Sequence, residues 1–459
     1  MTSDLRGRTL LCDAFHAPTA GSACRLRDAL IDVGRDGVIA AVRLPGEPGY
    51  DDARAAADRA GTLLRLDGYL LPGLVDLHVH APQFRQLGQA LDLPLQDWLQ
   101  RYTFPLEARY ADLDFAHRTY AALVGDLLAG GTTTAVYFAT LHGPATLHLA
   151  ELCLASGQRA MVGRVAMDLP ELCPDFYRDQ DAMAALAGTR SLIARIRALP
   201  GNDGLVQPIV TPRFVPACTD ALLDGLGALV REQGCAVQTH CSESDWAHDH
   251  VRDRFGRTDA AVLDRFGLLT RRTVLAHGNA LTVEDMDRIA RRGSGIAHCA
   301  LSNAYFAGSV FPLRAALSRG VRVGLGTDIS GGPSASLFDA ARMAVAASRM
   351  LESGVDPDLP PQRRGRKDSR IDIATAFHLA TAGGAGVLDL AVGSFAAGMV
   401  FDAIRIDPDA PGGTLRIWGS ESDADLLATL LYGTSRANIA AVWTGGRVAG
   451  AARLPSAWP

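Results

Sequence analysis

Residues 74–83 read LVDLHVHAPQ. The stretch begins as an apolar, β-rich run, sets two histidines one residue apart, and breaks at Pro82 before offering Gln83. On a strand, residues i and i+2 share a face, so His78 and His80 point the same way and Val79 points the other. A strand this apolar is covered on both faces, which is the environment of a parallel sheet wrapped by helices. Two imidazoles at its end make a usable pair of metal ligands. The pair alone is weak, because the 12 histidines among 459 residues would give roughly 0.3 such spacings by chance. Its meaning depends on what stands at the ends of the other strands.

Short β-rich runs recur along the chain: LVDLHVH, TTTAVYF, RAMVGRVAMD, VQPIVTPRF, AVQTHCSE, TVLAHGN, GIAHCALSN and RVGLGTD. Helical stretches such as ALLDGLGALVREQG, TVEDMDRIARRG and FPLRAALSRG separate most of them. Eight strand–helix units over about 320 residues predict an α/β fold, a (β/α)8 barrel spanning 70–390. The longest insertion follows the first strand, 81–131. It carries LDLPLQDWLQRYTFPLE, whose aromatic and turn residues suit a roof over the site. The two ends of the chain read differently. RTLLCDAF, DALIDVGRDGVIAAVRL, GMVFDAIRID and NIAAVWTGGRVAG are strands with Gly-rich hairpin turns. They predict a small β-sandwich domain built from 1–69 plus 391–459, since chain termini often lie close together.

In a (β/α)8 barrel, catalytic residues come from the C-terminal ends of strands. His78, His80, Arg213, His240, Glu243, His277 and Asp328 all stand there. A lone His at such a place usually satisfies local hydrogen bonds, and a lone Asp before Gly makes a turn or cap. Independent local explanations do not gather the set at one mouth. Three imidazoles and a carboxylate form a mixed N/O site suited to Zn²⁺, with Fe²⁺ possible. Cys241 follows His240 and so faces away from the site.

Composition narrows the function classes. Net charge is −5, which argues against a general nucleic-acid surface. No H-x-E…P-C-x-x-C pattern of the polynucleotide deaminases is present, and RRGRK at 363–367, within the basic loop 363–370, reads as a solvated loop. No apolar run reaches membrane-spanning length and no secretory leader is evident. The eight scattered cysteines form no CxxC pair. A cytoplasmic protein with reduced thiols is the expectation.

HxH on the first strand, the later histidines and the final Asp resemble the amidohydrolase superfamily. Two-metal members bridge their ions with a carbamylated Lys on the fourth strand. Here that strand is VQPIVTPRF, and the only lysine is Lys367, so a single-metal site is expected. HVHAPQ, QDWLQRYTFPLEARY, GTTTAVYF, TPRF, THCSES and GLGTDISGG together resemble the guanine deaminase family along most of the barrel. The resemblance implies one zinc per subunit on His78, His80, His240 and Asp328. It implies a purine held by Gln83, Arg213 and Phe214, with Trp98 as a further stacking residue. Glu243 is implied as proton shuttle, and His277 with Asp328 as the residues that orient water. The implied reaction is attack at C2 of guanine, with protonation of N3 and loss of the amine. A related deaminase acting on a pterin, 8-oxoguanine or an aminotriazine is the alternative, and a barrel scaffold without chemistry would lack the ligand set. A homodimer is implied as well. The chain departs from the family pattern in GNAL after His277 and in Ala300 of AHCALSN.

Overall fold

The structure is a computed structural model that describes residues 4–450. The chain opens with β1 (Arg8–Thr19), β2 (Ser22–Val33), β3 (Ile39–Arg43) and β4 (Leu63–Pro72). The barrel follows with β5 (Leu74–His80), β6 (Thr132–Phe138), β7 (Arg159–Gly163), the two-residue β8 (Val165–Ala166), β9 (Val206–Pro212), β10 (Ala236–Cys241), β11 (Thr273–His277), β12 (Gly295–His298) and β13 (Arg322–Leu325). The chain then returns to the first sheet with β14 (Ala403–Ile406), β15 (Ile439–Thr444) and β16 (Arg447–Val448).

The small domain is one continuous seven-stranded sheet in the order β16-β15-β14-β4-β1-β2-β3. The strands with Gly-rich turns that predicted a β-sandwich form this single sheet, in which β1 pairs on both edges: antiparallel with β2 and parallel with β4. One face packs Leu10, Cys12, Ile31, Phe401 and Trp443 into a core of its own. Residues 451–459, which belong to the expected 391–459 segment, lie outside the described residues.

The barrel strands run parallel in the order β13-β12-β11-β10-β9-β7-β6-β5. All eight expected runs are strands of this sheet. Closure comes just beyond β13, where the Asp328 N–H donates to the His78 carbonyl (2.8 Å) and the His80 N–H to the Ile329 carbonyl (2.9 Å). β5, β6, β10, β11 and β12 are buried along their whole length. Val75, Leu77, Val136, Ile209, Ala236 and Val274 fill the interior, and Ala385 and Val387 complete that core.

Strict alternation along β5 would send His78 and His80 outward, since Val75 and Leu77 lie inside. The pairing of β5 on β6 shifts between Asp76 and Val79. That irregularity moves Val79 into the outer core shared with the surrounding helices and turns both imidazoles inward.

The expected insertion 81–131 is shorter than the sequence suggested. Its last part is the first barrel helix, Leu113–Ala129, N-capped by the Asp112 carboxylate, which accepts from the N–H groups of Asp114 and Phe115. The roof itself is 81–112, a chain of short helical turns. Loop 363–370 is largely exposed. Among the described residues no helix is long and apolar enough to cross a membrane. All eight cysteines are free, and all but Cys24 are buried.

Candidate active site

The mouth of the barrel holds His78, His80, His240, Glu243, His277 and Asp328 in one cluster. His80 Nε2 stands 3.0 Å from His240 Nε2. Asp328 Oδ1 lies 3.1 Å from His78 Nε2 and 3.5 Å from His80 Nε2. The His240 tautomer is set by Nδ1, which donates to the Arg213 carbonyl at 2.6 Å, leaving a lone pair on Nε2. The Nε2 atoms of His78, His80 and His240 and the Asp328 carboxylate therefore converge at one place. Two nitrogens each about 2.1 Å from a tetrahedral ion stand about 3.4 Å apart; His78, His80 and Asp328 lie close enough together to share one cation, and so do His78, His240 and His277. Burial pushes the His78, His80 and His240 imidazoles toward the neutral form that ligates.

Backbone strain marks the same residues. Ser242, His277 and Asp328 adopt φ of +48°, +75° and +51°, a region that L-residues with side chains seldom occupy. These turns at the strand ends bend Glu243, His277 and Asp328 over the mouth. His277 Nδ1 donates to Asn303 Oδ1 (2.9 Å), so its Nε2 presents a lone pair. That atom is 3.6 Å from Glu243 Oε1 and 3.9 Å from Asp328 Oδ2. Burial pushes the Glu243 carboxyl up, with His277 opposing.

Beside the cluster opens a pocket lined by His80, Gln83, Trp98, Arg213, Phe214, His240, Glu243 and Asp328 together with Leu95, Leu99, Phe306 and Gly331. Its lining, apolar and aromatic with a few convergent polar groups, has the character of a small-molecule site. Gln83, Arg213, Phe214 and Trp98 therefore share one chamber with His80, His240, Glu243 and Asp328, while His78 and His277 do not line it. Trp98 is anchored by its indole N–H on the Gln89 carbonyl (3.0 Å) and meets Phe306 at 5.0 Å between ring centroids.

Several residues that shape this site escaped the sequence reading. Glu107 is fully buried and holds both Arg213 and Gln83. Phe306 reaches the chamber from the π-helical turn Asn303–Ala307. Asn279 lies in the departure GNAL; its side-chain amide donates to the Glu243 carbonyl (2.8 Å) and to Asn303 Oδ1 (3.1 Å). That departure thus props the Glu243 and His277 supports. Only the placement of QDWLQRYTFPLE in the roof could have pointed to Glu107.

An eight-stranded parallel barrel with a metal-competent His/His/His/Asp mouth defines the class: the chain belongs to the amidohydrolase family, whose model matches residues 69–449. Its relatives narrow this further. It is 39% identical over 386 residues to a probable guanine deaminase of Schizosaccharomyces pombe, covering 83% of this chain and 71% of that protein. It is 36% identical over 388 residues to guanine deaminase of Homo sapiens, covering 83% and 82%. Among solved structures, guanine deaminase from C. acetobutylicum with guanine bound in its active site superposes with a TM-score of 0.85 at 32% identity, covering 96% of this chain and 99% of that one.

Proposed function

We propose that this chain hydrolyses guanine to xanthine and ammonia, using one divalent metal ion, preferentially zinc, held by His78, His80, His240 and Asp328. The observation that carries the reading is the shared chamber: Arg213 and Gln83, suited to a purine edge, open onto the same space as the metal cluster and Glu243. It stands in a chain whose relatives are guanine deaminases.

A divalent ion at this site supplies Lewis acidity and brings the pKa of water toward neutrality. The chain's own residues do the rest. Arg213 offers a planar fork of N–H donors to the ring carbonyl. Gln83 offers both a donor and an acceptor to a second edge. Phe214 and Trp98 flank the ring. Glu243, raised by burial, takes a proton from water and delivers it to N3, which makes C2 electrophilic. It then carries a proton to the departing amine. His277, fixed by Asn303 with its Nε2 lone pair toward the mouth, and Asp328 orient the attacking water. The roof excludes bulk solvent while this occurs.

The same reading includes a homodimer, which mass measurement in solution tests, and a reducing, cytoplasmic setting, which the eight free cysteines suit. Incubating metal-loaded protein with guanine, a pterin, 8-oxoguanine and an aminotriazine, and following ammonia release, tests the substrate. Guanine is expected to be preferred. Inertness toward guanine with turnover of another ring would overturn the assignment.

A further inference from the structure

Glu107 makes no contact with the chamber, yet it holds the two polar residues that form the chamber's recognition wall. It lies on the roof helix Phe104–Ala108. Oε2 accepts from Arg213 Nη1 (2.8 Å); Oε1 accepts from Arg213 Nη2 (3.1 Å) and from Gln83 Nε2 (2.9 Å). Glu107 is 0% exposed and Arg213 2%. The Arg213 guanidinium also lies 4.9 Å from the centre of the Phe104 ring. On its other side, Gln83 Oε1 accepts from the Ser330 N–H (3.3 Å), so its amide is fixed in one orientation.

Resting on the guanine reading above, we propose that Glu107 is a specificity-determining positioning residue: by pairing with Arg213 it makes the recognition wall a set of neutral-ring donors and weakens the grip on anionic rings. A buried guanidinium without a partner attracts any anion strongly, since charges in the interior are poorly screened. Bound face to face with a carboxylate, the guanidinium keeps N–H groups for a carbonyl but offers little net charge. Gln83, tied to the same carboxylate, adds one free N–H and one free lone pair at a set angle.

The consequence follows from the chemistry of the reaction. Replacing the exocyclic amine by a carbonyl turns guanine into a ring that gives up a proton more readily. The product can therefore leave as an anion, and a neutralised Arg213 does not retain it. Glu107 acts through Arg213 and Gln83 and touches neither substrate nor metal.

The experiment uses the metal-loaded full chain, with metal content measured alongside kinetics. In E107Q, the KM for guanine should rise about tenfold with a smaller change in kcat. The Ki for xanthine should fall when measured above the pH at which xanthine loses its first proton, and change little below it. E107D, which keeps the charge, should retain the wild-type ratio of guanine KM to xanthine-anion Ki. A purely structural brace would weaken guanine and xanthine anion in step at both pH values, and that result would overturn the proposal. Should E107Q fail to fold, E107D and the double variant E107Q/R213Q carry the test. Removing both charges should abolish any pH-dependent gain in xanthine binding; a gain that persists there contradicts the proposal. Failure of the wild-type chain to deaminate guanine would instead overturn the substrate reading, so the two failures are distinct.

Discussion

His78 and Asp328 meet twice. The Asp328 N–H donates to the His78 carbonyl at 2.8 Å, and their side chains approach to 3.1 Å. The seam that closes the barrel is thus also the centre of the candidate metal site. Anything that loosens the seam misplaces both residues at once.

Asp76 fastens this seam. Its carboxyl accepts from the Thr327 N–H (3.0 Å), the Thr327 hydroxyl (2.6 Å) and the His78 N–H (3.2 Å). Asp76→Ala leaves three buried donors unmatched and should cost about 3 kcal/mol of stability, measured by denaturant unfolding. Metal content should fall with it. A variant that keeps wild-type stability and full metal would refute this role.

The same group gives a pH signature. Burial is the main cause that pushes the Asp76 carboxyl up to about 7, and the Thr327 hydrogen bonds oppose it. The folded state therefore holds a proton that the unfolded chain has already released near 3.8. Its contribution to stability is largest below that range and declines as pH rises toward about 7. Asp76→Asn should remove this decline. Paired melting curves from pH 4 to pH 8 check it, and parallel slopes for the two proteins would count against it.

Glu243 should control the acid limb of activity. Burial raises its carboxyl, so the proton-accepting form is lost at a higher pH than for an ordinary glutamate as the medium is acidified. The kcat/KM profile should fall on that side, with its midpoint above the usual carboxylate range. Glu243→Gln should lower kcat by about 10²–10⁴-fold while bound metal is retained.

Asn303 holds the His277 tautomer through the 2.9 Å bond to Nδ1. In Asn303→Ala either ring nitrogen can carry the proton. A fall of about 10-fold or more in kcat is expected, with KM nearly unchanged because Asn303 does not line the chamber. A rise in KM alone would mean that Asn303 acts through the roof.

The architecture and the residues of the candidate metal site were legible because each depends on a local rule. Short apolar, β-rich runs separated by helices announce the barrel, and the fold places their last residues at one mouth. His78, His80, His240 and Asp328 could be found that way. Glu107 could not: its partner Arg213 lies 106 residues away, and nothing local in FPLE distinguishes a buried carboxylate from a surface helix residue. Phe306 and Asn303 sit in a π-helical turn whose register has no simple sequence period. The β5 register shift that turns the histidines inward is likewise a tertiary outcome. The helix at 113–129 has no clear start in the sequence because irregular turns run directly into it.

The central claim is that one cation held at the β5–β13 seam drives guanine hydrolysis. Metal analysis of the purified chain and of Asp328→Ala, alongside guanine turnover by each, tests it most directly. The account predicts one divalent ion per wild-type chain, with xanthine and ammonia formed, and loss of both in the variant. An Asp328→Ala protein that keeps its metal and its turnover would contradict it.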